Sequence, residues 1–233
     1  MLGGIETYPN ERSHCPVAEA EPISRAIALP VSTWYEPYKR VAEFFAALVL
    51  LVVLTPVILV CALLVKLTSR GPAFYSQTRV GRFGRLYTIY KLRTMRHNCE
   101  RHSGPQWARP GDPRVTVIGR FLRRTHLDEL PQLWNVLRGE MSLVGPRPER
   151  PEFTAYLEKA IPSYRERLLV RPGLTGLAQL RLPPDTDLAS VRRKLVYDLY
   201  YIRRASPLLD LQILLGTACY LVGVQVPLPA ELN

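Results

Sequence analysis

Residues 44–65 read FFAALVLLVVLTPVILVCALLV, an apolar run without a single charge. About 20 such residues in a helix match the hydrocarbon thickness of a bilayer, so the run is expected to be a membrane element. A buried soluble helix of that length, apolar on every side, is the weaker alternative. Thr55-Pro56 falls at its centre. Proline removes a backbone hydrogen bond and bends a helix. Membrane helices accept this where a nearby hydroxyl or neighbour takes up the freed carbonyl. Both flanks are positive, with Lys39 and Arg40 ahead and Lys66, Arg70, Arg79, Arg82 and Arg85 behind. The asymmetry of basic charge that usually sets orientation is therefore missing. A bent helix entering and leaving by one cytoplasmic face satisfies both flanks. A kinked helix that crosses is the other reading, and the segment alone does not choose.

The remainder is long enough for one domain with a core of its own in a chain of 233 residues. A formal charge of +11 favours anions: phosphates, nucleotides, acidic lipid or nucleic acid. Cys15, Cys61, Cys99 and Cys219 are scattered without a CxxC pair, which argues against a zinc site or a secreted disulfide scaffold. A reducing cytoplasm is the simplest setting. Residues 1–33 carry Pro, Glu, Ser and Ala with little periodicity and no signal-peptide core, and are expected to form a disordered tail. The expected division is a tail over 1–33, a membrane helix over 34–70 and a catalytic domain over 71–233.

Within that domain, GPAFYSQTRVGRFGRLYTIYKLRTM (71–95) places β-branched and aromatic residues around a Gly-Arg-Phe-Gly turn, the pattern of a hairpin. Residues 96–113 read as a loop, and VTVIGRFLRRTHL (115–127) as a helix. From Asp128 to Arg138, Leu130, Leu133, Trp134 and Leu137 share one helical face, Pro131 suits the first turn and Gly139 the stop. Asp128 is thus expected at or beside the N-cap, with Trp134 and its leucine neighbours in the core. Residues 154–169 and 188–204 read as basic amphipathic helices. Residues 207–225, interrupted by Asp210 and Gln212, suit a helix lying in the membrane interface. The fold class is an α-rich α+β arrangement: a membrane helix, a small β-hairpin and several amphipathic interfacial helices around the site.

The chemistry centres on THLDELPQLWNVLRGEMSLVGPRPERPEF (125–153). A helix start suits a bound phosphate, and an ordinary Asp is already ionised at neutral pH and able to attack without a base. Two approaching anions repel, so such an attack needs a divalent cation and fixed basic groups. Arg147, held between Pro146 and Pro148, suits a rigid fork for phosphate oxygens. Lys91, Arg93 and Arg123 are further candidates. From position alone, an Asp at a helix start is more often a cap, and Arg147 a surface turn. Asp185-Thr186-Asp187 has the form of a DxD metal site, although the preceding Pro183-Pro184 and the helical pattern after it suggest a loop and helix cap.

KLRTM (91–95), LDELPQLWNVLRGEMSLVGPRP (127–148), RPGLTG (171–176) and YDLYYIRRASPLLDL (197–211), in that order, closely resemble the bacterial sugar transferase family, the monotopic phosphoglycosyl transferases. The resemblance covers roughly residues 35–220. It implies transfer of a sugar-1-phosphate from a UDP-sugar to polyprenyl phosphate, with release of UMP, at the cytoplasmic face of a bacterial inner membrane. This step begins exopolysaccharide, capsule, O-antigen or glycoprotein glycan assembly. It further implies Asp128 as the nucleophile of a covalent phosphosugar intermediate, paired with Glu129, and magnesium at that pair. Lys91, Arg123 and Arg147 match the family's basic positions and Asp198 its acid before the tyrosine pair. The break at Thr55-Pro56 matches the family's broken helix, which favours the re-entrant form. No nucleic acid is implied as partner; a homodimer is left open. Leu177 stands where many relatives carry Trp, and QLRLPPDTDLASVRRKL (179–195) departs from the usual loop, so no sugar preference transfers. No multi-span region precedes the catalytic part, the pattern expected of the compact form.

Two other functions compete. A membrane-tethered basic binding module would tolerate Asp128→Asn. A DxD-type glycosyltransferase would depend on Asp185 and Asp187 and release UDP.

Overall fold

Helix α1 (Tyr35–Thr68) runs unbroken through Pro56. At 1.5 Å per residue it is about 50 Å long, well beyond the roughly 30 Å of a hydrocarbon core. The computed structural model describes residues 34–99, 101, 104 and 111–224, so the expected tail and half of the expected loop lie outside the described residues. One stripe of α1 is buried, Lys39, Glu43 and Ala47 near one end and Ile58, Cys61, Ala62 and Val65 near the other. The other faces expose large apolar side chains, among them Phe45, Val49, Val52, Val53, Leu59 and Leu63. It is the one helix among the described residues long and apolar enough to cross a membrane. The Thr55 hydroxyl donates to the Leu51 carbonyl at 2.6 Å. That carbonyl lies one residue before Val52, whose expected N–H donor is the one Pro56 lacks.

The hairpin is as expected. β1 (Phe74–Val80) pairs antiparallel with β2 (Leu86–Leu92), Phe74 opposite Leu92 and Val80 opposite Leu86. Helix α2 (Val117–Thr125) follows, capped by the Thr116 hydroxyl. The helix expected from Asp128 to Arg138 is instead a 3-10 turn, Leu127–Gln132, followed by the short α3 (Leu133–Leu137). The tighter winding turns the face: Leu133, Asn135 and Val136 are buried, and Trp134 is 50% exposed. Trp134 is therefore not the core residue its spacing suggested.

A second, parallel pair joins β3 (Ser142–Val144) to β4 (Gly173–Thr175). Between them lie α4 (Pro151–Ala160) and a 3-10 turn at Tyr164–Leu169, where one longer helix was expected over 154–169. Helices α5 (Leu177–Arg181), α6 (Leu188–Arg204) and α7 (Pro207–Leu221) complete the chain. The main core gathers Ala47 of α1, Tyr87 and Ile89 of β2, Leu133 and Val136 of α3, Leu143 and Val144 of β3, Leu177, Ile202 and Ile213. A second cluster packs Cys61, Ala62 and Val65 against Leu92 and Leu122. Both ends of α1 thus rest on the same body.

Candidate active site

His126 turns the chain out of α2 in the left-handed region, φ 55°, and opens the 3-10 turn that carries Asp128 and Glu129. No side chain caps that turn, so the capping role open to Asp128 is not the one it takes. Among the described residues Asp128 has no hydrogen bond or ion pair, although it is only 7% exposed. Burial and the neighbouring Glu129 charge push its pKa up, against the opposing pull of Lys91, Arg123 and Arg147.

Glu129 is placed oppositely. Lys91, at the end of β2, donates to Oε1 at 2.9 Å. Arg147 forms a fork, Nη1 donating to Oε2 at 3.2 Å and Nη2 to Oε1 in a closer contact. Burial alone would raise the Glu129 pKa, but Arg147 and Lys91 outweigh it and hold the carboxyl well below the usual range. For Lys91 burial lowers the pKa and Glu129 opposes it. The two carboxylates, adjacent in sequence, therefore differ: one is spoken for by two cations, the other is left open among them.

Local sequence explains the placement. Gly119 admits the Thr94 carbonyl, which would lie 2.0 Å from an added Cβ, so α2 lies directly on the strand exit. There the Thr94 hydroxyl accepts from Arg123 Nε at 2.9 Å, and Arg123 faces the Asp128 side. Asn135 fixes α3 to β2 by donating to the Thr88 carbonyl at 2.7 Å. The Pro146-Arg147-Pro148 loop hangs on the parallel pair: Gly145 N–H donates to the Thr175 carbonyl and Gly173 N–H to the Pro146 carbonyl, both at 2.9 Å. A Cβ on Gly173 would lie 2.1 Å from the Gly145 nitrogen, so backbone meets backbone there. On the far side Arg79 Nη1 donates to the Pro148 carbonyl at 3.2 Å and pairs with Glu149 at 3.3 Å.

Lys91, Arg123, Asp128, Glu129 and Arg147 are brought together; two other sequence candidates are not among them. Arg93 turns to the end of α1, where Nη2 donates to the Ser69 carbonyl at 2.9 Å and the Ser69 hydroxyl at 2.7 Å. The hairpin ends at Leu92, and Gly71, at φ 112°, leaves the room that this guanidinium fills. Asp198 is buried in α6 and pairs with Arg167 at 2.9 Å instead of facing the dyad. Asp185 and Asp187 are also engaged: Asp185 pairs with Lys194 at 2.7 Å, and Asp187 caps α6 in a capping box with Ser190.

Sequence reasoning missed a buried polar network under the N-terminal end of α1. Glu43 accepts from the Ser142 hydroxyl at 2.6 Å and the Leu143 N–H at 3.0 Å, and pairs with Lys39 at 3.0 Å and Arg171 at 3.4 Å. Lys39 also pairs closely with Asp210, to which Tyr201 donates at 2.8 Å. Lys39 is thus no free basic flank. The signal that could have found this was the acid at Glu43 four residues after Lys39, placed just before the apolar run.

Two carboxylates can serve a magnesium ion when substrate phosphates and water supply the rest of its octahedron. The donors fit that role: Asp128 is open, and Glu129 Oε2 is engaged only by Arg147 Nη1. No cluster of three or more His, Cys, Asp or Glu gathers among the described residues, so no dedicated all-protein metal cage is present there.

An open carboxylate among fixed cations, beside a helix long and apolar enough to cross a membrane, fits a membrane-associated protein. A family model described as bacterial sugar transferase matches residues 34–223, and the chain belongs to that family, a family of transferases. It is similar to the Caulobacter vibrioides UDP-glucose:undecaprenyl-phosphate glucose-1-phosphate transferase, 48% identical over 183 residues, 77% of this chain and 67% of that protein. The exopolysaccharide production protein PSS of Rhizobium leguminosarum bv. phaseoli is 45% identical over 184 residues, 77% of this chain and 92% of that protein. A UDP-N-acetylgalactosamine-undecaprenyl-phosphate N-acetylgalactosaminephosphotransferase of Aeromonas hydrophila is 43% identical over 183 residues. The match covers 78% of this chain and only 43% of the Aeromonas protein, so the chain spans less than half of that relative's length.

Proposed function

We propose that this protein transfers a hexose- or N-acetylhexosamine-1-phosphate from a UDP-sugar to undecaprenyl phosphate in two steps through Asp128, starting the assembly of an exopolysaccharide or a related glycan. The observation that carries the reading is the open, buried Asp128 beside a Glu129 locked by Lys91 and Arg147. In the first step an Asp128 carboxylate oxygen attacks the sugar-bearing phosphorus. The bond from that phosphorus to the bridging oxygen breaks, and UMP leaves with the electron pair. In the second step an oxygen of the lipid phosphate attacks the same phosphorus. The acyl phosphate bond breaks, Asp128 is restored and a polyprenyl diphosphosugar is released.

Arg147, Lys91 and Arg123 supply the positive field that lets a carboxylate approach a diphosphate. Magnesium, held by Asp128 and Glu129 with the diphosphate, would add charge neutralisation at the same place. Asp185 and Asp187, being spent on Lys194 and on the α6 cap, do not favour a DxD mechanism. A re-entrant placement of α1 agrees with its anchorage. Glu43 and Lys39 at one end and Val65 and Ser69 at the other hold to the same body, which a perpendicular crossing would drag into lipid. That body then lies on the cytoplasmic face of the inner membrane, where UDP-sugars are available.

The test is product analysis with UDP-glucose and UDP-N-acetylgalactosamine, undecaprenyl phosphate and magnesium. UMP with a lipid diphosphosugar is expected. Release of UDP, or turnover that survives Asp128→Asn, would refute the reading.

A further inference from the structure

We propose that Arg167 is a positioning residue for the transfer: anchored by Asp198, it holds the Arg147 loop by its backbone and so sets the fork that grips Glu129. The inference rests on the two-step reading above and assigns roles to Arg167 and Asp198 that the reading does not require.

Arg167 lies on the 3-10 turn Tyr164–Leu169, and its side chain is 7% exposed. It makes two hydrogen bonds and one ion pair. Nη2 donates to the carbonyl of Arg147 at 2.8 Å and lies 2.9 Å from Asp198 Oδ2. Nη1 donates to the Tyr164 hydroxyl at 2.7 Å, and the guanidinium stands 5.1 Å from the centre of that ring. Asp198 is itself fixed in the middle of α6 near Lys194, whose own partner is Asp185. A continuous set of contacts therefore runs from α6 through Arg167 to the main chain of Arg147, and from the Arg147 guanidinium to both oxygens of Glu129.

The loop needs such a hold. Pro146 and Pro148 lack N–H groups, so the main chain on either side of Arg147 can be fixed only through its carbonyls and through Arg147 itself. The Pro146 carbonyl accepts from Gly173, the Pro148 carbonyl from Arg79 and the Arg147 carbonyl from Arg167. Of these three, Arg167 alone bears on the residue whose side chain reaches the dyad. Lysine in its place would keep a charge for Asp198 but could not fork to the Arg147 carbonyl and the Tyr164 hydroxyl as well. A small displacement of a group that orients reacting atoms costs orders of magnitude in rate.

The experiment is single-turnover formation of the sugar-phosphate adduct, followed by intact mass with UDP-sugar and magnesium and without lipid acceptor. It compares the wild-type chain, Arg167→Lys, Asp198→Asn, Arg147→Lys and the double variant Asp198→Asn/Arg147→Lys, with Tm measured for each. Arg167→Lys and Asp198→Asn are expected to slow the adduct about 10- to 100-fold. Once the fork is replaced by Arg147→Lys, Asp198→Asn should slow it less than about 2-fold further, the non-additivity of residues acting through one group. An undiminished effect of Asp198→Asn in the Arg147→Lys background would overturn the proposal, as would a wild-type rate in Arg167→Lys. A loss of rate that only tracks a fall in Tm across all variants would also overturn it. Absence of any adduct in the wild-type chain would instead contradict the two-step reading itself.

Discussion

Replacing Asp128 by Asn removes one buried charge while leaving the side chain's shape almost unchanged. The folded-state pKa of Asp128 lies above the roughly 3.9 of an unfolded Asp, because burial and Glu129 disfavour the charge. As pH falls, the folded chain takes up this proton first, so the ionised group costs stability at neutral pH and the cost fades through the raised pKa. Asp128→Asn is therefore expected to raise Tm at pH 7.5 while abolishing turnover. Thermal unfolding of the solubilised variant at neutral and acid pH checks this, and the gap to wild type should close on acidification. In wild type the acid limb of the adduct rate should lie above pH ~4, since the nucleophile must be ionised. Glu129 behaves with the opposite sign: its stabilisation is complete above an ordinary Glu pKa of about 4.3 and is lost as pH drops below that. Glu129→Gln is expected to cost about 2 kcal/mol, discounted because the Arg147 side chain is 38% exposed, and to slow the adduct sharply. A stability and rate equal to wild type would refute the locking of Glu129.

At the scale of elements, the parallel pair β3–β4 holds the Arg147 loop through glycines that meet backbone to backbone. Gly173→Ala puts a carbon 2.1 Å from the Gly145 nitrogen, with no flexible side chain to yield. A loss of about 2–3 kcal/mol is expected, with the adduct rate falling alongside the Tm. Glu43→Gln should cost about 1–2 kcal/mol: two buried ion pairs are lost, but Lys39 keeps Asp210 and Arg171 keeps Glu36 as partners. Elements with strong periodicity or turn chemistry were legible: the hairpin around Gly81–Gly84, and α6 with its cap at Asp187. The pair β3–β4 was not, since three-residue strands show no alternation and their partners stand some 30 residues apart in sequence. Trp134 was misread because spacing assumes 3.6 residues per turn, and the preceding turn is 3-10. The dyad and Arg147 were legible as a motif. The direction of Arg93 and the handoff from Asp198 to Arg167 were not, because both depend on side chains distant in sequence.

For the whole molecule, α1 is long and apolar enough to cross a membrane and at the same time contributes to the core. Its buried stripe places Lys39 and Glu43, just ahead of the uncharged run, in ion pairs inside the protein, while its other faces expose large apolar side chains. In the re-entrant placement, Tyr38→Cys and Leu67→Cys, both at exposed positions and introduced into a chain whose native cysteines are replaced, should react with an impermeant maleimide from the same side. Labelling from opposite sides would establish a crossing helix instead. The claim on which the rest depends is that Asp128 becomes covalently bonded to a sugar phosphate. Intact mass spectrometry of the solubilised chain, mixed with magnesium and UDP-sugars but no lipid acceptor, tests it most directly. The expected result is a mass increase of one sugar phosphate that is absent in Asp128→Asn and discharged by undecaprenyl phosphate. An unmodified chain that nonetheless turns over once lipid is added would contradict it.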